Sequence, residues 1–186
     1  MDLLGHASNS SEWGPTMASK PGQETDPDCA VNPDFCTWSQ VFIPYCTGDM
    51  HSGTQMERNP GLGNYYFSGH NAIAGVTADL KGRFNDTGQA PTHFLISGSS
   101  AGGIGALMHT DFFAEEFPSA VVKGAPQCGF FYAGVTAVDD VAAHRPTPAA
   151  NLGFISGWKP YMPTACMVAT NGDVAQCTDA HCAISY

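Results

Sequence analysis

Gly98-Ser99-Ser100-Ala101-Gly102 sets one serine between two glycines at the spacing G-x-S-x-G, and Gly103 follows directly. A serine hydroxyl attacks an acyl carbonyl only when it is exposed, a base stands within hydrogen-bond reach, and N–H donors await the developing oxyanion. A sharp turn from a strand into a helix meets the first and last of these needs together. It lifts the hydroxyl above the sheet and points the next N–H, at a helix N-terminus, toward the oxyanion. Such a turn admits only small residues on either side of the serine. Ser100 is therefore expected to be a nucleophile, and Ser99, one place off the pattern, is expected to face the structure.

The base is harder to find. An elbow of this kind orders its partners as Ser, then Asp or Glu, then His. Downstream lie Asp111, Glu115, Glu116, Asp139, Asp140, Asp173 and Asp179, with His109, His144 and His181. Asp139 or Asp140 with His144 is too close in sequence to come from two separate strand-end loops, and Asp173 with His181 is little better. The residues thus show a nucleophile without a base, and the chain alone is expected to have almost no esterase activity. Upstream, His70 opens a helix and His93 a strand, so both are expected to be structural. Cys177, His181 and Cys182, with Cys166 upstream, could be drawn as a zinc site.

The elements that must position Ser100 are legible in the periodicity. His93-Phe94-Leu95-Ile96-Ser97 reads as a strand entering the motif. Ile104, Leu107, Met108, Phe112 and Phe113 form a helical stripe after it, stopped before Pro118. Ala72, Ile73, Val76, Leu80 and Phe84 predict an earlier helix from about Gly69 to Arg83. Val41-Phe42-Ile43-Pro44-Tyr45-Cys46 and Ala120-Val121-Val122-Lys123-Gly124 read as two more strands. Residues 8–38 and 48–64 are polar or Gly-rich and predict loops, and from Ala133 onward the pattern is weak. Strands alternating with helices predict parallel βαβ units in an α/β sheet.

Bulk properties narrow the partners. The 186 residues suffice for one domain with a real core. A net charge of -10, from 17 acidic against 7 basic residues, argues against nucleic acid or an anionic membrane as partner. No run approaches the roughly 18 apolar residues of a membrane span. Met1-Asp2-Leu3-Leu4-Gly5-His6 shows neither the basic nor the apolar region of a signal peptide. Yet 7 cysteines lean toward an oxidising compartment. The two observations conflict, and an N-terminally truncated secreted chain would reconcile them.

Together these segments resemble one family. Ser10-Ser11-Glu12-Trp13, Asn32-Pro33-Asp34-Phe35 with Trp38, the run Val41–Cys46 continuing to Asp49 and Ser52-Gly53, the elbow Ser97–Gly103, and Lys123-Gly124 through Gly129-Phe130-Phe131 are similar to the pectin acetylesterases, the family that also holds the animal deacylase Notum. The resemblance covers nearly all of residues 1–186 and implies a single, partial α/β-hydrolase-like domain: a parallel sheet flanked by helices and incomplete at both ends. It implies ester hydrolysis through an acyl-enzyme, with O-deacetylation of a polysaccharide as the expected reaction. A Notum-like deacylase of an acylated protein and a truncated, non-catalytic homologue are the alternatives.

Ser100 carries over as nucleophile and Ala101 as the oxyanion N–H. Asp49 and His51 border the pocket by the same comparison, with a turn-forming Asx side chain the other reading of Asp49. The resemblance implies no cofactor or metal, an extracellular location, and a disulfide from Cys166 to Cys182 or Cys177. The Gly-rich GGGW-type segment that completes the oxyanion hole in the family has no counterpart before Ser10, and the catalytic Asp and His are expected beyond Tyr186. Two departures bear on the pocket: Gln127-Cys128 stands where many relatives carry an acidic residue, and His51 where Notum-like proteins carry an aromatic.

Overall fold

The computed structural model describes residues 25–129 and 157–177. The chain divides into two compact units, Met1–Cys46 and Thr47–Tyr186.

The described part of the first unit is built from turns. Asp26 is buried; its side chain accepts from Asp28 N at 2.9 Å and its carbonyl accepts from Asn32 Nδ2 at 2.9 Å. A Cys29–Cys36 disulfide closes the turn, and Phe35 meets Trp38 edge-on at 5.1 Å. Val41–Cys46, expected as a strand, is not one. An apolar run becomes a strand only where a neighbour pairs its N–H and C=O groups. None of the described strands pairs with this run, Pro44 removes one donor, and Val41 and Phe42 are exposed.

In the second unit, β1 (Gln55–Asn59) pairs antiparallel with β2 (Tyr65–Phe67), in register Gln55↔Phe67 and Asn59↔Tyr65. This hairpin falls where a loop was expected. Gln-Met-Glu-Arg-Asn holds a single apolar residue, so the alternation that marks a half-buried strand is missing. The turn makes the hairpin: Asn59 Oδ1 accepts from Gly61 N at 2.9 Å, and Gly63 and Asn64 both take left-handed φ angles of 72° and 63°.

α1 (Gly69–Thr87) begins where the periodicity placed it and runs one turn further, to a left-handed Gly88 that caps it. β3 (His93–Ser99), α2 (Ala101–Glu116) and β4 (Val121–Gln127) follow, and β3 and β4 pair in parallel from His93↔Val121 to Ser99↔Gln127. This is the expected βαβ unit, with each strand longer at its C-terminal end than its apolar run. Phe94, Phe113 and Phe117 pack beneath it, Phe94 and Phe117 at 4.6 Å, and Phe84 of α1 joins them. α2 buries Gly103, Gly105, Ala106, His109 and Phe113, so its tightest face is small residues and a histidine rather than the apolar stripe.

Residues 157–161 run beside the hairpin. Asn59 Nδ2 donates to Gly157 O, Thr54 N and Oγ1 donate to Lys159 O, and Tyr161 N donates to Ser52 O. Beyond them, the short helices α3 (Thr164–Ala169) and α4 (Val174–Cys177) are joined by a Cys166–Cys177 disulfide. No helix among the described residues is long and apolar enough to cross a membrane.

Candidate active site

Ser100 occupies the one-residue junction between β3 and α2, with φ 57° and ψ -119°. A side chain at positive φ costs about 1–3 kcal/mol and persists only where its surroundings enforce it. Here they do. Ser100 N donates to Gln127 O at 2.9 Å on the neighbouring strand, and Ser100 O accepts from Gly103 N at 2.9 Å and Ile104 N at 3.1 Å. A Cβ at Gly103 would lie 2.5 Å from Gln127 O and 2.7 Å from the Gly129 Cα, so only glycine lets α2 come this close to the end of β4. Gly98 likewise faces the Gly102 backbone.

The outcome is an exposed Ser100 whose hydroxyl makes no capping bond and has no partner among the described residues. The Ala101 N–H sits in the first turn of α2, where helical N–H groups have no intrahelical acceptor. Ser99 was expected to face the structure, but it is exposed at the last rung of β3. What separates the two hydroxyls is the backbone: Ser99 remains in the strand ladder, and Ser100 is thrown out of it.

Asp49 and His51 lie in one tight turn, and neither is an open pocket wall. Asp49 is fully buried. Its Oδ2 accepts from Gly69 N at 2.7 Å, the first residue of α1, and from Gly53 N at 3.1 Å, while its Oδ1 accepts from Thr47 Oγ1. The Asp49 carboxylate thus forms a bracket that ties the turn to the head of α1. The Asx reading saw the local part; the bond to Gly69 spans 20 residues and left no sequence signal. His51, at φ 62°, is 9% exposed, and its ring packs 3.0–3.2 Å from where a Cβ would sit on Gly105 of α2. Burial pushes its pKa below the usual histidine value, partly offset by Asp49.

A cluster that sequence reasoning missed adjoins this turn. His70 Nδ1 lies 3.1 Å from His109 Nε2, and His109 Nδ1 lies 2.8 Å from Gly105 O. Tyr161 stacks on His70 at 4.1 Å with an interplanar angle of 2°. His109 is 1% exposed, and burial pushes its pKa down to about 4. His70, expected to be structural, is engaged by its contacts with His109 and Tyr161. The available signal was the Gly105/His109/Phe113 spacing, which places a histidine on the buried side of α2.

No histidine among the described residues hydrogen-bonds Ser100. Asp139, Asp140, His144, Asp179 and His181 lie outside the described residues, and Asp173 is exposed near α4. Of the two partners left open for Cys166, the structure selects Cys177, which corrects the Cys166–Cys182 pairing and removes both sulfurs from any zinc site. Among the described residues no group of three metal-ligating side chains assembles. Gln127 and Cys128 are both exposed just past the elbow.

Three comparisons bear on this geometry. The family model described as Pectinacetylesterase matches residues 7–186. The human palmitoleoyl-protein carboxylesterase NOTUM is 30% identical over 177 residues, which covers 89% of this chain and 34% of the human protein. Pectin acetylesterase 7 of Arabidopsis thaliana is 31% identical over 106 residues, 56% of this chain and 26% of the plant protein. Among solved structures, the Wnt deacylase Notum from Drosophila aligns with a TM-score of 0.74 at 24% identity, covering 97% of this chain and 52% of that one, so the fold is shared. This chain spans about a third of the length of the curated relatives it matches.

Proposed function

Because this chain belongs to the pectinacetylesterase family, we propose that it carries the nucleophile of a serine carboxylesterase that removes O-acetyl groups from a polysaccharide such as pectin. The observation that supports this best is Ser100 itself: an exposed hydroxyl, without a partner among the described residues, held at positive φ on a strand-to-helix turn. Its Oγ attacks the acyl carbonyl and gives up its proton to a histidine from outside the described residues, which an acid orients. The Ala101 N–H receives the oxyanion, a role that a second donor must share. The sugar hydroxyl leaves with that proton, and water then releases the acyl group from Ser100. Acyl transfer to serine calls on no cofactor.

Removal of a longer acyl group from a protein is the second reading. It is favoured by the extent of the match, which covers 89% of this chain for human NOTUM against 56% for the plant enzyme. The Cys29–Cys36 and Cys166–Cys177 disulfides fit a secreted protein. The test compares acetylated pectin with p-nitrophenyl acetate and p-nitrophenyl octanoate, using the full protein that contains this chain and its Ser100→Ala variant. Turnover of acetyl esters that vanishes in the variant supports the first reading, and a strong preference for octanoate supports the second. Turnover that survives in the variant overturns both.

A further inference from the structure

We propose that the pair formed by half-buried His70 and buried His109 is an acid-sensitive latch, which holds the Tyr161 segment and the head of α1 against the helix that begins at Ser100. The latch follows from counting protons. A carbonyl only accepts, so the 2.8 Å contact with Gly105 O requires the proton of His109 on Nδ1. A neutral His109 then presents a bare Nε2, and His70 Nδ1, 3.1 Å away, must be the donor. His109 is then neutral with its proton on Nδ1, and His70 carries a proton on Nδ1.

The surroundings make this the only comfortable state. Tyr161 lies flat against His70 at 4.1 Å and faces His109 at 5.3 Å, while Phe112 meets the two histidines edge-on at 5.1 and 6.0 Å. A proton added to His109 Nε2 removes that acceptor, so the contact survives only if His70 moves its own proton from Nδ1 to Nε2, and it places a cation in a site nearly closed to water. From the neighbouring turn, His51 would add to the positive charge, and Asp49 behind it already accepts from Thr47, Gly53 and Gly69. On α2 itself, Asp111 and Glu115 act on the Tyr161 hydroxyl, whose pKa is pushed up to about 12, chiefly by burial. The 157–161 segment supplies only Lys159, which is exposed. Among the described residues no carboxylate is hydrogen-bonded to either ring of the pair.

The direction with pH follows. A histidine whose folded pKa lies below its unfolded value contributes stability that is fully present above pH 6.5 and is lost as pH falls toward the folded value. With His109 at about 4 against 6.5 unfolded, the folded-to-unfolded ratio drops by about 30-fold between pH 7.5 and pH 5 from this residue alone. The loss falls first on the elements the pair joins. Residues 157–161 are held by hydrogen bonds to Ser52, Thr54 and Asn59 and by this stack, so acid loosens them before it reaches the elbow, which holds no titrating group.

The test is hydrogen exchange on the full 186-residue chain at pH 7.5 and pH 5, corrected for intrinsic rate. Protection at residues 158–161 should fall at least tenfold more than at residues 96–104. A paired His70→Asn/His109→Gln variant should lose that difference. Equal loss in both segments, or a difference that survives in the variant, overturns the latch. Should the variant not fold, long-range ¹⁵N–¹H spectra of the wild-type histidine rings decide. His109 must keep its proton on Nδ1 down to pH 5, and titration near 6.5 or a proton on Nε2 rejects the proposal. Esterase activity enters none of these readouts, so the latch and the proposed hydrolysis fail independently.

Discussion

The elbow at Ser100 and the bracket at Asp49 solve opposite problems with the same device. Each depends on missing Cβ atoms. Gly103 lets the first turn of α2 touch the backbone at the end of β4, and Gly69 opens α1 where a Cβ would lie 2.6 Å from the His51 Cα. At the elbow, the closeness forces a polar side chain out into solvent with no hydrogen-bond partner among the described residues. At the bracket, it closes around a carboxylate, which is fully buried and accepts three hydrogen bonds. The side chain proposed to react sits at a strained backbone position without a partner among the described residues; the structural one is satisfied completely.

That contrast predicts how each region breaks. Ser100→Ala should leave the fold in place, because the hydroxyl bonds nothing among the described residues, yet reduce ester turnover by about 10⁴–10⁶-fold in the full protein, the scale for loss of a serine nucleophile. Steady-state kinetics beside a thermal melt checks both halves. A large fall in melting temperature would mean that Ser100 is structural and would erase the distinction.

Asp49→Ala should do the reverse. Two backbone N–H groups and the Thr47 hydroxyl lose their acceptor, at about 1–3 kcal/mol for each group left unsatisfied. A total of about 4 kcal/mol is expected, because water entering the vacated space restores part of the loss. Urea unfolding measures it directly. A change under 1 kcal/mol would show that the turn holds without its carboxylate.

Gly103→Ala probes the elbow's dependence on close approach. The new methyl meets Gln127 O and Gly129 Cα, both backbone atoms with no rotamer to yield. Overpacking of this kind costs about 1–3 kcal/mol. Since Gln127 O also accepts from Ser100 N, Ser100 should shift with it. Urea midpoints and reaction with a fluorophosphonate probe should therefore fall together, and stability lost without slower labelling would uncouple Gly103 from Ser100.

How much of this was legible follows from the range of each interaction. The elbow, α1, β3 and β4 announce themselves because motif, periodicity and capping glycine act within a few residues. The Asp49–Gly69 bond and the His70–His109 contact span 20 and 39 residues, and nothing local to either residue encodes them. Val41–Cys46 fails for the opposite reason: its apolar run is a genuine local signal, but a strand needs a partner that the run does not specify. The β1–β2 hairpin was hidden because Met56, the one apolar residue of its first strand, is 71% exposed, so burial never shaped the sequence.

The smallest expected effect is the sharpest test of the comparison. Ser99 and Ser100 are both exposed serines, adjacent in the chain, and either could be mistaken for the nucleophile. Ser99 stays in β3, in register with Gln127, whereas Ser100 leaves the ladder and heads α2. A strand residue places its side chain to one face of the sheet, whereas Ser100 heads the helix whose first turn holds the Ala101 N–H. Ser99→Ala should therefore change stability by less than about 0.5 kcal/mol, as surface substitutions do, and leave ester turnover within about twofold. Mass spectrometry of fluorophosphonate-labelled peptides, run on wild type and on both alanine variants, reads the assignment directly. Label on Ser100 in wild type and in Ser99→Ala, with none in Ser100→Ala, places the chemistry at the strained position. Label that moves to Ser99 when Ser100 is removed would show that exposure suffices, and that the positive φ at the elbow is a by-product of packing.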